Sequence, residues 1–265
     1  MNPRQRALDI LSLDDPAAKA TATREWHAAA GDDALNDAER CAVLVPAAAL
    51  PGRPARPQLV AAKDVAARSP FTVAGRAALL HAVAHIEFNA INLALDAVWR
   101  FAGMPAVYYR DWTTVAAEEA LHFSMLCEHL ASLGCRYGDH VAHDGLWAMA
   151  ERTAGDVTAR MALVPRTLEA RGLDATPPMQ ARLARAGDSR AVAILDVILR
   201  DEIGHVAIGN HWYRWLCERQ GLEPVAHYAV LAQRYQAPRL RPPFNTAARQ
   251  AAGFSAAEIS ALDQA

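Results

Sequence analysis

Two stretches of this sequence place a glutamate three residues before a histidine: "EEALHF" at 118–123 and "DEIGH" at 201–205. The pairs are Glu119 with His122 and Glu202 with His205, and no other glutamate in the chain has a histidine at that spacing. At i and i+3 on a helix, two side chains lie on one face, close enough to hold one metal ion together. Both pairs sit in apolar runs. An unpaired buried carboxylate costs several kcal/mol, so such a chain must supply a cation or hydrogen-bond donors.

A metal site of this kind in a four-helix bundle needs one further glutamate from each of the other two helices. Glu87, in "AHIEFNAI", precedes Glu119 by 32 residues, and Glu169, in "RTLEARGL", precedes Glu202 by 33. Hairpins of long helices would bring each pair to one depth. Glu87 shares an apolar stripe with Leu80, Val83, Ala84, Ala90, Ile91 and Ala94, and Glu119 shares one with Trp112, Val115, Phe123 and Leu126. Glu202 lies among Ile198, Leu199, Val206 and Gly209. Four carboxylates and two imidazoles would leave two divalent cations nearly neutral, with carboxylate oxygens bridging them. Oxygen and nitrogen ligation without thiolate suits iron or manganese better than a structural zinc, so two Fe ions are expected, with Fe/Mn or Mn/Mn as alternatives. Asp201 is expected to support a ligand histidine, His122, through its second ring nitrogen. His85, with His81, Asn89, Asn92 and Asp96, is expected on a solvated polar face or as hydrogen-bond support beside the ligands. Glu118 reads as facing a helix interface or water, and His140 and His143 read as solvated loop residues. Tyr108, Tyr109, Trp112, Trp212 and Trp215 read as core.

The elements that must position these residues are helices. Periodicity predicts four long ones at about 73–101, 105–133, 146–171 and 189–219. The short link "FAGMP" makes the first two antiparallel neighbours. The 11 residues "GCRYGDHVAHD" at 134–144, at about 3.3 Å each, could just run the length of a helix of about 37 Å, so one long crossover is expected there. Pro177 and Pro178 read as a helix start. Pro165 leaves the Met161 carbonyl without its helical partner; a local kink aiming Glu169 is one answer, and capping by water is the simpler expectation. Residues 3–30 read as short helices forming an appendage, 46–70 as a proline-rich extended arm, and the tail from 223 as further helices. The expected organisation is therefore 1–72 helices and arm, 73–222 bundle and 223–265 extension, packed as one all-α domain.

Composition narrows the function. Lys+Arg 27 against Asp+Glu 29 in 265 residues gives a net charge of −2, which offers no bulk attraction to nucleic acid or to an anionic membrane. The four cysteines (Cys41, Cys127, Cys135, Cys217) form no CxxC, and "MNPRQRALDILSLDD" lacks the apolar core of a signal peptide, so a cytoplasmic location is expected. No run reaches about 18 uninterrupted apolar residues, so no membrane partner is expected.

The ligand pattern resembles the non-haem di-iron carboxylate proteins of the ferritin-like superfamily. The phrases "HAVAHIEFNAINLALD", "DWTTVAAEEALHF", "VPRTLEARGLDATP" and "ILRDEIGHVAIG", with "PGRPARP" and "PPFNTAARQAAGF", more closely resemble a bacterial ferritin-like family described as a domain of unknown function. That family is similar in pattern to the tRNA hydroxylase acting on methylthio-isopentenyl-adenosine. The resemblance implies a ferritin-like four-helix bundle and an oxygenase or hydroxylase that activates dioxygen to oxidise an organic substrate, with an external electron donor. A small-molecule substrate is preferred. A tRNA is the minor branch, resting on Arg53, Arg56, Arg234, Arg239, Arg241 and Arg249. A metal-stapled binding or structural protein and a ferroxidase or iron-handling protein remain the alternatives.

Overall fold

A computed structural model describes residues 2–29, 40–66 and 69–264, and among them the chain is all-α, with one isolated parallel bridge between Leu59 and Ala142. The helices are α1 (Pro3–Leu11), α2 (Pro16–Ala29), α3 (Val73–Arg100), α4 (Ala106–Ser132), α5 (Gly145–Arg152), α6 (Val157–Leu163), α7 (Ala170–Arg185), α8 (Ser189–Gln220), α9 (Pro224–Arg234), α10 (Thr246–Ala251) and α11 (Ala256–Gln264). Two compact units divide the chain at Met1–Gly145 and Leu146–Ala265. The flanking segments are built into these units.

In the first unit α3 and α4 form the expected antiparallel hairpin. Its tight link is pinned by Tyr109, whose hydroxyl donates to the Phe101 carbonyl at 2.9 Å and accepts from the Met104 amide at 3.1 Å. α1 packs on α3 and α2 on α4. α1 is core rather than appendage: Ala7, Leu8, Ile10 and Leu11 are buried. Arg4, also buried, donates Nε and Nη2 to the Trp99 carbonyl at 3.1 and 2.7 Å, answering a carbonyl that the last turn of α3 leaves over.

The polar face of α3 is likewise not solvated. His81, Asn92 and Asp96 are fully buried: other segments bring partners to His81 and Asn92, and Asp96 is answered by Trp99 and Arg100 of its own helix. Lys19 Nζ donates to Asn92 Oδ1 at 2.6 Å and to the Gly52 carbonyl at 2.8 Å. Burial pushes the Lys19 ammonium down to about 7, with Arg53 adding repulsion. From the crossover, the Gly138 amide donates to His81 Nε2 at 2.9 Å, and the Tyr137 hydroxyl lies 2.9 Å from His85 Nδ1. The arm straps the crossover in turn, through Val60 N to Ala142 O (2.8 Å), Ala142 N to Gln58 O (3.0 Å) and the Arg53–Asp144 pair (2.7 Å). α3 is long and apolar enough to cross a membrane, yet 78% of that window is buried inside the protein, the condition of a core helix.

The second unit departs from the expected single helix at 146–171. "TAGD" interrupts it after α5, and Asp156 restarts it by accepting from the Ala159 amide at 2.9 Å. After α6 the backbone widens into a π-helical segment, Val164–Glu169. Pro165 lacks the amide that an α-turn would use, and Thr167 Oγ1 donates to the Ala162 carbonyl at 2.7 Å, five residues back. The kink reading of Pro165 therefore replaces the water-capping one. Pro177 and Pro178 do not start a helix but lie inside α7, correcting the sequence reading. The Leu173 carbonyl, which Pro177 cannot serve, accepts from Asn245 Nδ2 at 3.1 Å, so the tail supplies what the helix lacks.

α8 runs unbroken for 32 residues from the Asp188 cap to Gly221, whose φ of 65° ends it. A Cβ on Gly209 would meet Pro165 Cβ and Cγ at 2.7 Å, so the proline ring occupies the space that a side chain would need. Ala170, Leu173, Val206, Ala248, Ala252 and Phe254 form one apolar cluster, which makes the tail part of this unit's core. Arg249, one of the six arginines of the minor tRNA branch, is fully buried and pairs with Asp174 at 2.6 Å.

Candidate metal centre

The uninterrupted registers of α3 and α4 bring Glu87 against Glu119 and His122. Their flanking stripes (Leu80, Val83, Ala84, Ile91; Trp112, Val115, Phe123, Leu126) are all buried, which fixes which way the carboxylates face. His122 Nδ1 lies 3.2 Å from Glu87 Oε2 and 3.4 Å from Glu119 Oε2, and the three residues are 0%, 3% and 1% exposed. One ligand atom from each lies within 4.8 Å of the others. Ligands on one cation at bonds of about 2.0 to 2.2 Å stand at most about 4.4 Å apart, so an ion fits after shifts of a few tenths of an ångström.

The electrostatics favour a cation. Burial and the nearby Glu119 carboxylate push Glu87 up to about 8, against the opposing pull of His122. Burial alone would lower His122, but its hydrogen bonds to Glu119 and Glu87 outweigh this and raise it to about 12. Protons thus neutralise the cluster where a metal ion would do so more fully, since carboxylate and neutral imidazole are the ligand forms of these side chains.

In the second unit, His205 Nδ1 lies 3.8 Å from Glu202 Oε2 on α8, with both residues buried. Glu169 is half-buried at the end of the π-helical segment. Among the described residues it is not gathered with Glu202 and His205 as tightly as the three residues of the first unit are with one another. Asp201 accepts from Nε and Nη2 of its neighbour Arg200 at 2.8 and 3.2 Å. His85 meets Tyr137, Asn89 Nδ2 (3.0 Å) and the His143 carbonyl (3.2 Å), so these contacts make it part of the buried polar strip under the crossover. Glu118 is half-buried on an open groove with Arg24 and His27, and His143 is exposed. Tyr108, Tyr109, Trp112 and Trp212 are buried, while Trp215 is half-buried beneath Arg219. Lys19 escaped the sequence reading, since nothing in "PAAKATATREW" distinguishes it from a solvated lysine.

Fold and cluster together define a class: an all-α protein with a buried carboxylate–imidazole group able to take a cation. The chain belongs to the family described as "Protein of unknown function (DUF455)", whose model matches residues 12–260. A relative from Haemophilus influenzae, described as an uncharacterized protein, is 52% identical over 223 residues, covering 82% of this chain and 77% of the relative. No solved structure matches.

Proposed function

We propose that this protein is a dinuclear non-haem iron oxidoreductase of the ferritin-like kind, oxidising a small organic substrate with dioxygen and an external electron donor. The observation that carries the reading is the Glu87–Glu119–His122 cluster, a set of hard oxygen and imidazole ligands buried with no thiolate among them. Glu87, Glu119 and His122 would serve one ion, and Glu202 and His205, with Glu169, the other, as the repeated Glu-x-x-His spacing suggests. Iron bound by such ligands supplies reactivity toward dioxygen. The chain's own residues hold the carboxylates ionised once protons leave, exclude water through the apolar stripes, and keep the imidazoles oriented. Asp201 would act as a positioning residue for a ligand histidine.

The test is metal analysis of protein purified without added metal, followed by anaerobic ferrous titration and exposure to dioxygen. About two ions per chain are expected. Filling the first unit's cluster should release protons, because burial and the Glu119 carboxylate favour the protonated form of Glu87 and the two carboxylates favour that of His122. Dioxygen should then give ferric iron that stays bound at that stoichiometry. Full metal occupancy in both Glu119→Ala and Glu202→Ala would remove the assignment of ligands. Tens of irons oxidised per chain into a mineral would turn the reading to iron storage, and redox-inert metal would turn it to a structural staple.

A further inference from the structure

The second unit contains a cavity of about 390 Å³ between α9, the segment 235–240 and α11. Its walls are mostly aliphatic, including Val225, Ala229, Ala232, Pro238, Leu240 and Leu262. The polar residues in this lining are dominated by cations: Arg166, Arg239 and Arg249 against Glu258. A pocket of this size with an apolar body and a few convergent polar groups is the usual form of a small-molecule site.

The charges around it do not cancel. Glu258 accepts from Arg166 Nη2 and, at 2.8 Å, from Arg214 Nη2, so one carboxylate answers two guanidiniums. Asp174 answers Arg249 through Nε and Nη2 at 3.0 and 2.6 Å, yet Arg249 Nη1 is buried without a hydrogen-bond partner. Arg239 is exposed and pairs with no acid among the described residues. Among the described residues, four guanidiniums in and behind the lining thus meet two carboxylates, with the uncompensated charge beside an aliphatic wall. One side is also fixed in place: Arg166 is held among the rings of Tyr213, Tyr228 and Phe254 at 4.9, 4.9 and 5.2 Å, and the Tyr228 hydroxyl lies 2.9 Å from Thr167 Oγ1.

We infer that this cavity binds a single-tailed amphiphile with an anionic head, its aliphatic body along α9 and α11 and its head on the guanidiniums, Arg239 first among them. Carboxylate and phosphate heads share the chemistry, since both accept paired N–H donors from arginine. The inference does not rest on the metal reading, because every group it uses lies outside the proposed ligand set.

The experiment is calorimetric titration of the full chain, metal-free and metal-loaded, with decanoate, decyl phosphate, decanol and decyltrimethylammonium. At least one of the two anions should bind once per chain in both metal states, and the tighter of them identifies the head group. Decanol should bind at least about tenfold more weakly and the cation not at all. Arg239→Ala should weaken the anion about two- to fivefold, with less salt dependence, as expected for one solvent-facing charge pair. Ala232→Trp should abolish binding by filling the cavity, while Val230→Trp, on the same helix but exposed, should leave it unchanged. Circular dichroism of both tryptophan variants separates a filled cavity from an unfolded one. Equal binding of decanol and decanoate, anion binding that survives Ala232→Trp in a folded chain, or no binding of either anion would overturn the inference.

Discussion

Glu87 and Glu119 stand on helices that run unbroken for 28 and 27 residues, whereas Glu169 ends a six-residue π-helical segment wedged between α6 and α7. The first two meet His122 in a tight buried group. Glu169 is half-buried and, among the described residues of its own unit, outside any such group. In a regular helix each residue turns the next by about 100°, so spacing alone fixes which face a side chain takes. A π-turn holds more residues than an α-turn and rotates everything after it, so a spacing count across Val164–Glu169 no longer fixes a face. π-segments recur at functional sites, and this one carries both a proposed ligand and Arg166 of the second unit's cavity.

The largest expected effect separates the two ligand sets. Glu119→Ala should abolish metal binding at the first unit's cluster while the helical circular dichroism persists, because the apolar stripes of α3 and α4 are untouched. Glu169→Ala should cost less, in keeping with its looser setting; equal loss in both variants, read by metal analysis, would erase the contrast.

Next in size is the anchor of the π-segment. Arg166→Ala leaves Glu258 buried with only the half-exposed Arg214 as its cationic partner. Breaking a buried pair in this way should destabilise by about 3 kcal/mol in denaturant unfolding. Glu258 is held below the usual carboxylate range because Arg166, Ser255 and Arg214 outweigh the effect of its burial. A loss under about 1 kcal/mol would mean that the segment does not depend on this anchor.

Gly209→Ala comes third. Its Cβ would strike the Pro165 ring, and overpacking of this kind costs about 1 to 3 kcal/mol. Pro165→Ala in the same chain should recover most of the loss, since it removes the atoms struck. Full additivity of the two changes would show that the ring and the glycine are not a matched pair.

In the first unit the corresponding test is one of pH. Lys19 falls to about 7 in the folded chain from an ordinary 10.5, so between those values the unfolded chain holds a proton that the folded one does not. Stability from this group therefore rises with pH across that window, and its burial penalty is greatest below pH 7. The stability of the wild type relative to Lys19→Met should rise by up to one proton's slope over pH 7 to 10. The comparison cancels His122, whose raised value acts in the opposite direction. A flat difference would mean that Lys19 is not desolvated as its contacts imply.

The smallest effect expected is at Asp201. Its contacts with Arg200 involve a side chain that is 71% exposed, so Asp201→Asn should change stability by less than about 0.5 kcal/mol. If it also supports a ligand histidine, metal affinity should fall about tenfold. Unchanged affinity in a metal titration would leave it a surface pair.

The sequence by itself determined three of the four long helices and the meeting of Glu87, Glu119 and His122. Unbroken periodicity over about 73–101 and 105–133 and the short link "FAGMP" fix a hairpin, and α-helical phase then dictates that Glu87, Glu119 and His122 face inward. The boundaries of α8 were legible for the same reason. Only the tertiary structure decided what depends on partners distant along the chain. It buried the polar strip of α3, because Lys19, Gly138 and Tyr137 answer its side chains from segments that read as appendage and loop. It carried α7 through Pro177, because Asn245 of the tail takes the orphaned Leu173 carbonyl. It also turned Pro165 into a π-segment fitted against Gly209. Local phase is a property of neighbouring residues and can be read along a chain, whereas hydrogen-bond satisfaction depends on groups tens of residues away and is settled only when the chain packs.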